Sequence, residues 1–192
     1  MNRPALTPAT VVAEAAVLAD EHGLEAVTLS AVARRLGVRT PSLYSHVRDH
    51  AALLDGISTL ALEELAGRIA EAVAGRAGHP ALDGLAQAHR SFARERPGRW
   101  QSLQRRVGPA VAASDAARTV AALMDAVLRG YDIPPGDRVT VTRLVGSTIN
   151  GYLTLEHVGS FDHREPAPEV SWHRTVDALD TLLRTWPTGQ ET

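Results

Sequence analysis

The sequence predicts an all-α protein of about nine helices. Apolar residues recur at helical spacing in one segment after another, and Gly or Pro interrupts the pattern between the segments. Apolar residues make up 44% of the chain but aromatic residues only 4%, a composition that favours closely packed helices. With 192 residues, the chain can form one or two domains around a sizeable core.

The first helix is predicted to end at His22, before Gly23. Either Thr7 or Thr10 can cap its beginning, because a hydroxyl oxygen accepts a bond from an unpaired backbone N–H. Its apolar residues at helical spacing are Val11, Ala15, Leu18 and Ala19. The pattern indicates an amphipathic helix at the start of the fold.

The segment from Leu29 to Tyr44 predicts two short helices joined by a tight turn. Ser30 is placed to cap the first helix, and Gly37 to end it in the left-handed conformation that only glycine adopts without strain. Thr40 is then a second cap, and Pro41 stands at the first helical position, where its missing N–H costs nothing. This order of residues predicts a helix-turn-helix, which points to double-stranded DNA as a partner.

The second of these helices has an apolar and a polar side. Leu43 and Val47 lie four residues apart and are expected to be buried together. The residues expected on the other faces are Ser42, Tyr44, Ser45 and His46. Their side chains are of the kinds that bind phosphates or base edges.

Charge is distributed unevenly along the chain. The net charge is −2, yet the stretch from Thr28 to Arg48 contains no Asp or Glu. Its arginines are Arg34, Arg35, Arg39 and Arg48. A local basic patch on a mildly acidic protein predicts one face for DNA and other faces that avoid it.

The remaining helices follow from apolar spacing and from Gly and Pro breaks. They are predicted over residues 49–75, 81–96, 99–107, 114–128, 138–158 and 171–186. The segment 138–158 is rich in β-branched residues, and its length and apolar spacing favour a helix. Gly75 to Pro80, Gly130 to Asp137 and Gly159 to Ser171 are predicted as loops, and Gly108-Pro109 as a break.

This order of parts resembles the tetracycline-repressor (TetR) family of bacterial transcription regulators. The residues that carry the resemblance are Gly23-Leu24, Val27-Thr28-Leu29, Ala33, Gly37-Val38, Leu43-Tyr44, His46 and Leu53-Leu54. They cover only about the first 55 residues, and the remainder matches the family in length and helix count alone. The resemblance implies a three-helix DNA-binding domain over 1–48, a ligand-binding and dimerisation domain over 49–187 and a tail over 188–192.

The resemblance also implies a homodimer on a pseudopalindromic operator, with the third helix in the major groove. The positions that match the family's DNA contacts are Thr28, Arg39, Thr40, Pro41, Ser42, Tyr44 and His46. Tyr44 and His46 are expected to touch phosphates, whereas Arg39, Thr40 and Ser42 suit base edges.

Two residues depart from the family pattern. Val47 stands where the family usually has Phe, and His50 where it usually has a Lys that meets a phosphate. A histidine is only partly protonated at neutral pH. DNA binding is therefore expected to be weaker or pH-sensitive, unless Arg48 takes over the phosphate.

The second half is expected to hold a small-molecule effector of unknown identity and the dimer interface. The candidates for an apolar pocket with a few polar groups are Phe92, Trp100, Leu103, Gln104, Met124, Asn150 and Tyr152. Gly146 and Gly151 would let another helix approach closely. With the last helix they resemble the family's four-helix dimer interface, although packing within one protomer is the alternative.

Other functional classes find little support in the sequence. No Ser/His/Asp order or paired carboxylate suggests an enzyme, and neither a cofactor nor a metal site is expected, because the eight histidines lack ligand-like spacing. No apolar run suggests a membrane span or a signal peptide, and the absence of cysteine suits the cytoplasm. The sequence thus predicts a repressor that is released from its operator by a small molecule. A transcriptional activator, a constitutive or architectural DNA-binding protein and an unrelated enzyme stay open as alternatives.

Overall fold

The computed structural model describes residues 6–187. Within them the chain forms nine α-helices, three short 3-10 helices and no strand, so the all-α prediction is confirmed. The predicted tail over 188–192 and the first residues of the chain lie outside the described residues. No helix in the described range is long and apolar enough to cross a membrane.

The helices follow one another along the whole described range. In chain order they are α1 (Pro8–His22), η1 (Leu24–Ala26), α2 (Leu29–Leu36), η2 (Thr40–Ser45), α3 (His50–Val73), α4 (His79–Glu95), α5 (Pro97–Gln104), α6 (Pro109–Ala112), α7 (Asp115–Leu128), η3 (Pro135–Asp137), α8 (Arg138–His157) and α9 (Pro168–Arg184).

Several boundaries agree with the sequence. Thr7 caps α1 in a reciprocal arrangement with Thr10, which the sequence offered as the alternative cap. Gly23 ends α1 with a φ of 84°, where L side chains are strained. Asp49 accepts a bond from the N–H of Ala52 at the start of α3. The segment 138–158 is helical, as predicted.

Other boundaries differ from the sequence predictions. Helix α6 occupies the position predicted as a Gly108-Pro109 break, because Pro109 opens a new short helix instead of only ending one. Pro97 likewise begins α5, and Pro168 begins α9 three residues before the predicted start. Each error has the same source, since proline that interrupts one helix is also well suited to the first turn of the next.

The described residues form two compact units, and α3, α4 and α7 contribute residues to both. The first unit comprises residues up to 65 together with 92–118, and the second comprises 66–91 with 119 onward. The first unit has a core of fully or nearly buried side chains from α1, α2, η2, α3 and the short segment between η2 and α3. It includes Val11, Ala15, Ala19, Val32, Ala33, Leu43, Val47, Leu53 and Ile57.

Helix α5 packs directly on α1 in the first unit. A Cβ atom on Gly98 would lie only 2.1 Å from the backbone carbon of Ala19, so the two helices touch through their backbones. The next residue, Arg99, lies 3.2 Å from the carboxylate of Asp20 in α1 and 2.6 Å from that of Glu64 in α3. The first unit therefore includes more than the predicted helix-turn-helix.

The second unit buries the inner faces of α8 and α9. Its buried side chains include Val141, Val145, Ile149, Leu153, Trp172, Val176, Leu179 and Leu183. The carboxylate of Asp180 is held by two donors at 2.7 Å, the hydroxyl of Tyr131 and the Nε atom of Arg184. This hydrogen-bonded group ties the segment after α7 to the last helix.

Candidate nucleic-acid interface

Helix α2 begins one residue after Thr28, which is its N-cap. The N–H of Ala31 donates to the hydroxyl oxygen of Thr28 at 3.1 Å. The sequence prediction that Ser30 caps this helix is wrong, because the extended backbone of Thr28 already ends the preceding segment and Ser30 lies inside the helix. Thr28 nevertheless lies exposed at the start of α2, where the resemblance placed it.

The turn after α2 has the predicted geometry. Gly37 adopts a left-handed conformation, with φ 66° and ψ 34°, which favours glycine. Two residues of the turn bond back to α2, since the N–H of Gly37 donates to Arg34 and that of Val38 to Ala33. The turn therefore fixes the direction in which the chain leaves α2.

The second helix of the motif is a 3-10 helix, η2, rather than an α-helix. Its N-cap residue is Arg39, and no side chain caps it, so the predicted capping role of Thr40 is wrong. Pro41 stands in the first turn, as predicted. The segment has only six residues, and short helical pieces commonly adopt the 3-10 form because they can make few i to i+4 bonds.

The 3-10 geometry decides which side chains point away from the protein. Residues three apart line up on a 3-10 helix, so Thr40, Leu43 and the following His46 lie on one side. Leu43 is fully buried and the other two are half-buried. The exposed residues on the remaining sides are Pro41, Ser42, Tyr44 and Ser45. His46 is thus closer to the core than predicted, and Tyr44, with 57% of its surface exposed, is the largest outward side chain of η2.

The four arginines predicted to form a basic patch have different surroundings. Arg35 lies 2.5 Å from Glu14 and 2.5 Å from Glu21, both in α1. The hydrogen bonds that Arg35 donates to these two carboxylates, first of all to Glu14, raise the pKa of its guanidinium. Arg35 therefore joins α2 to α1, and its charge is already matched by acidic groups.

The other three arginines present their charge more openly. Arg48 bonds Asp49 at 2.8 Å, but its side chain is 84% exposed. Arg34 and Arg39 are exposed and have no ion pair within the described residues. These two arginines are consequently the cations of the motif that are best able to approach a phosphate or a base.

His50 does not lie free at the start of α3. Its Nε2 atom is 2.6 Å from the carbonyl oxygen of Val27. A carbonyl can only accept, so Nε2 carries the hydrogen of this bond. In the neutral ring Nδ1 is then an acceptor, and only the protonated ring has a second N–H for a phosphate.

The residues proposed for an effector pocket fall in different parts of the fold. Phe92 and Trp100 are buried in the first unit, together with the more accessible Leu103 and Gln104. Met124, Asn150 and Tyr152 belong to the second unit. Tyr152 also lines a cavity near the end of α8. A single pocket lined by all seven candidate residues stays a prediction. Among the described residues there is no group of three or more His, Asp or Glu side chains that could hold a metal ion.

Sequence reasoning missed a buried cation in the second unit. Arg90 in α4 is 1% exposed and bonds Glu156 of α8 at 2.6 Å. Its guanidinium lies 5.2 Å from the ring centre of Trp172. The available signal was its position on an apolar stripe of α4, four residues after the buried Ala86 and three before the buried Ala93.

Comparison with known proteins adds evidence from both halves of the chain. The family model described as "Bacterial regulatory proteins, tetR family" matches residues 11–57. The one described as "Tetracyclin repressor-like, C-terminal domain" matches residues 82–179.

Individual relatives agree with these matches over most of the chain. An uncharacterised HTH-type transcriptional regulator of Mycobacterium tuberculosis is 30% identical over 83% of this chain and 75% of its own length. A second, from Bacillus subtilis, is 27% identical over 97% of this chain and 94% of its own length. A solved TetR variant from Acinetobacter baumannii, in complex with minocycline, shares the fold with a TM-score of 0.67 and 23% identity, over 92% of this chain and 96% of its own.

Proposed function

Because the chain belongs to the TetR family of transcriptional regulators, we propose that it is a homodimeric repressor that leaves a pseudopalindromic operator when a small molecule binds. In this proposal residues 1–48 form the DNA-binding head and residues 49–187 the ligand-binding and dimerisation part. The observation that carries the proposal is the outward face of η2, with the exposed Arg39 directly before it and the exposed Arg34 on α2, neither of which has an ion pair within the described residues.

The proposed base contacts come from the start of η2. Arg39 is exposed directly before the helix, and an arginine can bond a guanine edge with two parallel hydrogen bonds. Ser42 is exposed as well, whereas the half-buried Thr40 offers its hydroxyl only at the edge of the contact. We therefore place most of the sequence preference on Arg39 and Ser42.

The proposed phosphate contacts surround these residues. Tyr44 and Thr28 are exposed residues that carry hydroxyl groups, and Arg48 has an exposed side chain whose charge Asp49 partly neutralises. Pro41 contributes surface rather than a donor, because it has no N–H. His46 and His50 contribute only in part, since the first is half-buried and the second already donates to Val27.

We place the dimer interface on α8 and α9. A Cβ atom on Gly146 or Gly151 would meet no atom of the described residues within 4 Å, so both glycines of α8 face open space. Leu155 and Leu182 are 46% and 40% exposed, which a second copy would cover. Gly151→Leu is then expected to shift sedimentation towards the monomer, whereas Gly67→Leu on α3, which also faces open space, should not. An unchanged dimer in the first variant would contradict this interface.

The repressor role requires two states with different operator affinity. A ligand that prefers the released state by about 1–3 kcal/mol lowers operator affinity by roughly 5–150-fold. Helix α3 is the proposed transmitter, because it begins directly after the DNA-reading motif and contributes residues to both compact units.

The DNA-binding part is tested with two matched variants. Arg39→Ala should weaken binding to the preferred sequence more than binding to random duplex, because a base contact is lost. Tyr44→Phe should weaken both about equally, because a phosphate contact carries no sequence information. Fluorescence anisotropy with both duplexes separates the two effects. An equal loss of affinity for both duplexes in Arg39→Ala would show that Arg39 contacts a phosphate rather than a base.

A further inference from the structure

A cavity of about 440 Å³ lies where α8 gives way to the loop before α9. Its walls combine aromatic, charged and small residues, principally Tyr152, Phe161, His163, Arg164, Glu165 and Pro166. The volume falls within the range of small-molecule sites, which is about 300–1,000 Å³. All of these residues belong to the second unit, so the cavity lies within one compact body.

The apolar wall of this cavity is held in place by its neighbours. The hydroxyl of Tyr152 donates to the carbonyl oxygen of Pro168 at 2.7 Å. The Tyr152 ring lies 4.8 Å from the ring of Phe161 and 5.0 Å from that of the fully buried Trp172, measured between ring centres. Beyond Trp172 stands the buried guanidinium of Arg90. The aromatic surface is therefore fixed before any ligand arrives, which lowers the entropy cost of binding.

The polar rim of the cavity carries charged side chains. His163, Arg164 and Glu165 are exposed and take part in no ion pair within the described residues. Two of the three are donors in their charged form, and Arg164 offers the planar fork of donors that fits a carboxylate. Glu165 can only accept when ionised.

We propose that this cavity binds a planar aromatic carboxylate that also carries a hydroxyl group. The ring lies against Tyr152 and Phe161, the carboxylate is bound by Arg164 with His163 beside it, and the hydroxyl donates to Glu165. Binding of this ligand is inferred from the cavity alone. The use of the cavity as an effector site rests on the proposed function.

The ligand chemistry is tested on the full chain by isothermal titration calorimetry with a matched pair of probes. The probes are a hydroxynaphthoate, with its two groups at opposite ends of the bicycle, and the corresponding neutral hydroxynaphthamide. The acid should bind about tenfold or more tightly than the amide, the difference that one charge-assisted pair supplies. Phe161→Ala should weaken both probes together.

A pair of arginine variants tests the site itself. Arg164→Gln should reduce binding of the acid to the level of the amide, and Arg106→Gln, on an exposed arginine of the first unit, should change nothing. The proposal is overturned if neither probe binds, if acid and amide bind equally, or if Arg164→Gln binds the acid like the wild type.

The effector role has a separate readout. Release of DNA by the acid from the wild type, but not from Arg164→Gln, supports the cavity as the effector site. Binding of the acid with no change in DNA affinity overturns that role. If the protein binds no DNA at all, the proposed function fails, while calorimetry still decides whether the cavity binds the acid.

Discussion

The Nε2 atom of His50 lies 2.6 Å from the carbonyl oxygen of Val27, so that the imidazole joins the start of α3 to the residue before Thr28. This bond uses the ring's N–H in the neutral state. His50 therefore already has a hydrogen-bond partner within the protein. It stands where the resemblance implies a lysine that binds a phosphate.

Replacing His50 by Lys is expected to strengthen DNA binding. A permanent cation at the start of α3 adds one phosphate contact, which steepens the dependence of log affinity on log salt by about 0.9. The measurement is fluorescence anisotropy over a series of salt concentrations. His50→Gln keeps an N–H donor without the charge and should leave the slope unchanged. A slope that is equal in all three proteins would show that this position lies away from the phosphates.

Two neighbouring arginines of α2 are expected to respond in opposite ways. Arg35→Ala removes bonds to Glu14 and Glu21, so it should lower the thermal unfolding midpoint slightly and leave the salt slope of DNA binding unchanged. Arg34→Ala should leave the thermal unfolding midpoint unchanged. It should reduce the salt slope of DNA binding by about the amount that one phosphate contact contributes. Each variant is the control for the other. A loss of slope in Arg35→Ala would contradict its assignment to the α1–α2 contact.

The sequence was sufficient for features that follow from local stereochemistry. Gly37 ends α2 because of its left-handed conformation, and Leu43 and Val47 are buried four residues apart. The 3-10 form of η2 could not be predicted, because Pro41 is compatible with the first turn of either helix type. Thr28 and Ser30 compete for the same capping role, and only the backbone conformation decides between them.

Contacts between distant parts of the chain could not be predicted from the sequence, for a different reason. The pairing of Arg35 with Glu14 and Glu21 depends on how α1 and α2 cross, which no local pattern encodes. The cavity near Tyr152 is formed in part by a loop, 159–167, that has no periodic pattern at all. The family resemblance supplied the order of the helices, but not the side chains that meet between them.

Asp180 is expected to stabilise the second unit in its ionised form. Burial acts to raise its pKa, but hydrogen bonds from Arg184 and Tyr131 hold the pKa of this carboxyl below its ordinary value. A lowered pKa means that the ionised form stabilises the fold above the unfolded pKa, and that this stability is lost as the pH falls through the folded pKa.

Asp180→Asn should therefore lower the free energy of unfolding by about 1.5–3 kcal/mol at neutral pH, since it removes a hydrogen-bonded charge. The difference from the wild type should shrink as the pH falls into the acidic range, and urea titrations at several pH values measure it. Asp132→Asn, on an exposed carboxylate with no partner within the described residues, is the control. An equal loss at neutral and acidic pH would contradict the electrostatic explanation.

The backbone contact between α5 and α1 is tested at Gly98. In Gly98→Ala the new methyl group would overlap the backbone of Ala19, and overpacking of this kind costs about 1–3 kcal/mol or more. Gly67→Ala places the same methyl group in open space on α3 and should stabilise the protein by up to about 1 kcal/mol. Equal stability of the two variants would show that α5 does not pack tightly on α1.

The proposed role of η2 and Arg39 is to select an operator for a two-fold dimer. It is tested most directly by selection of duplexes from a random library with the wild type and with Arg39→Ala. We expect an inverted repeat for the wild type, and a loss of preference at the same position of both half-sites for the variant. A single unrepeated site, or an unchanged preference in Arg39→Ala, would contradict it.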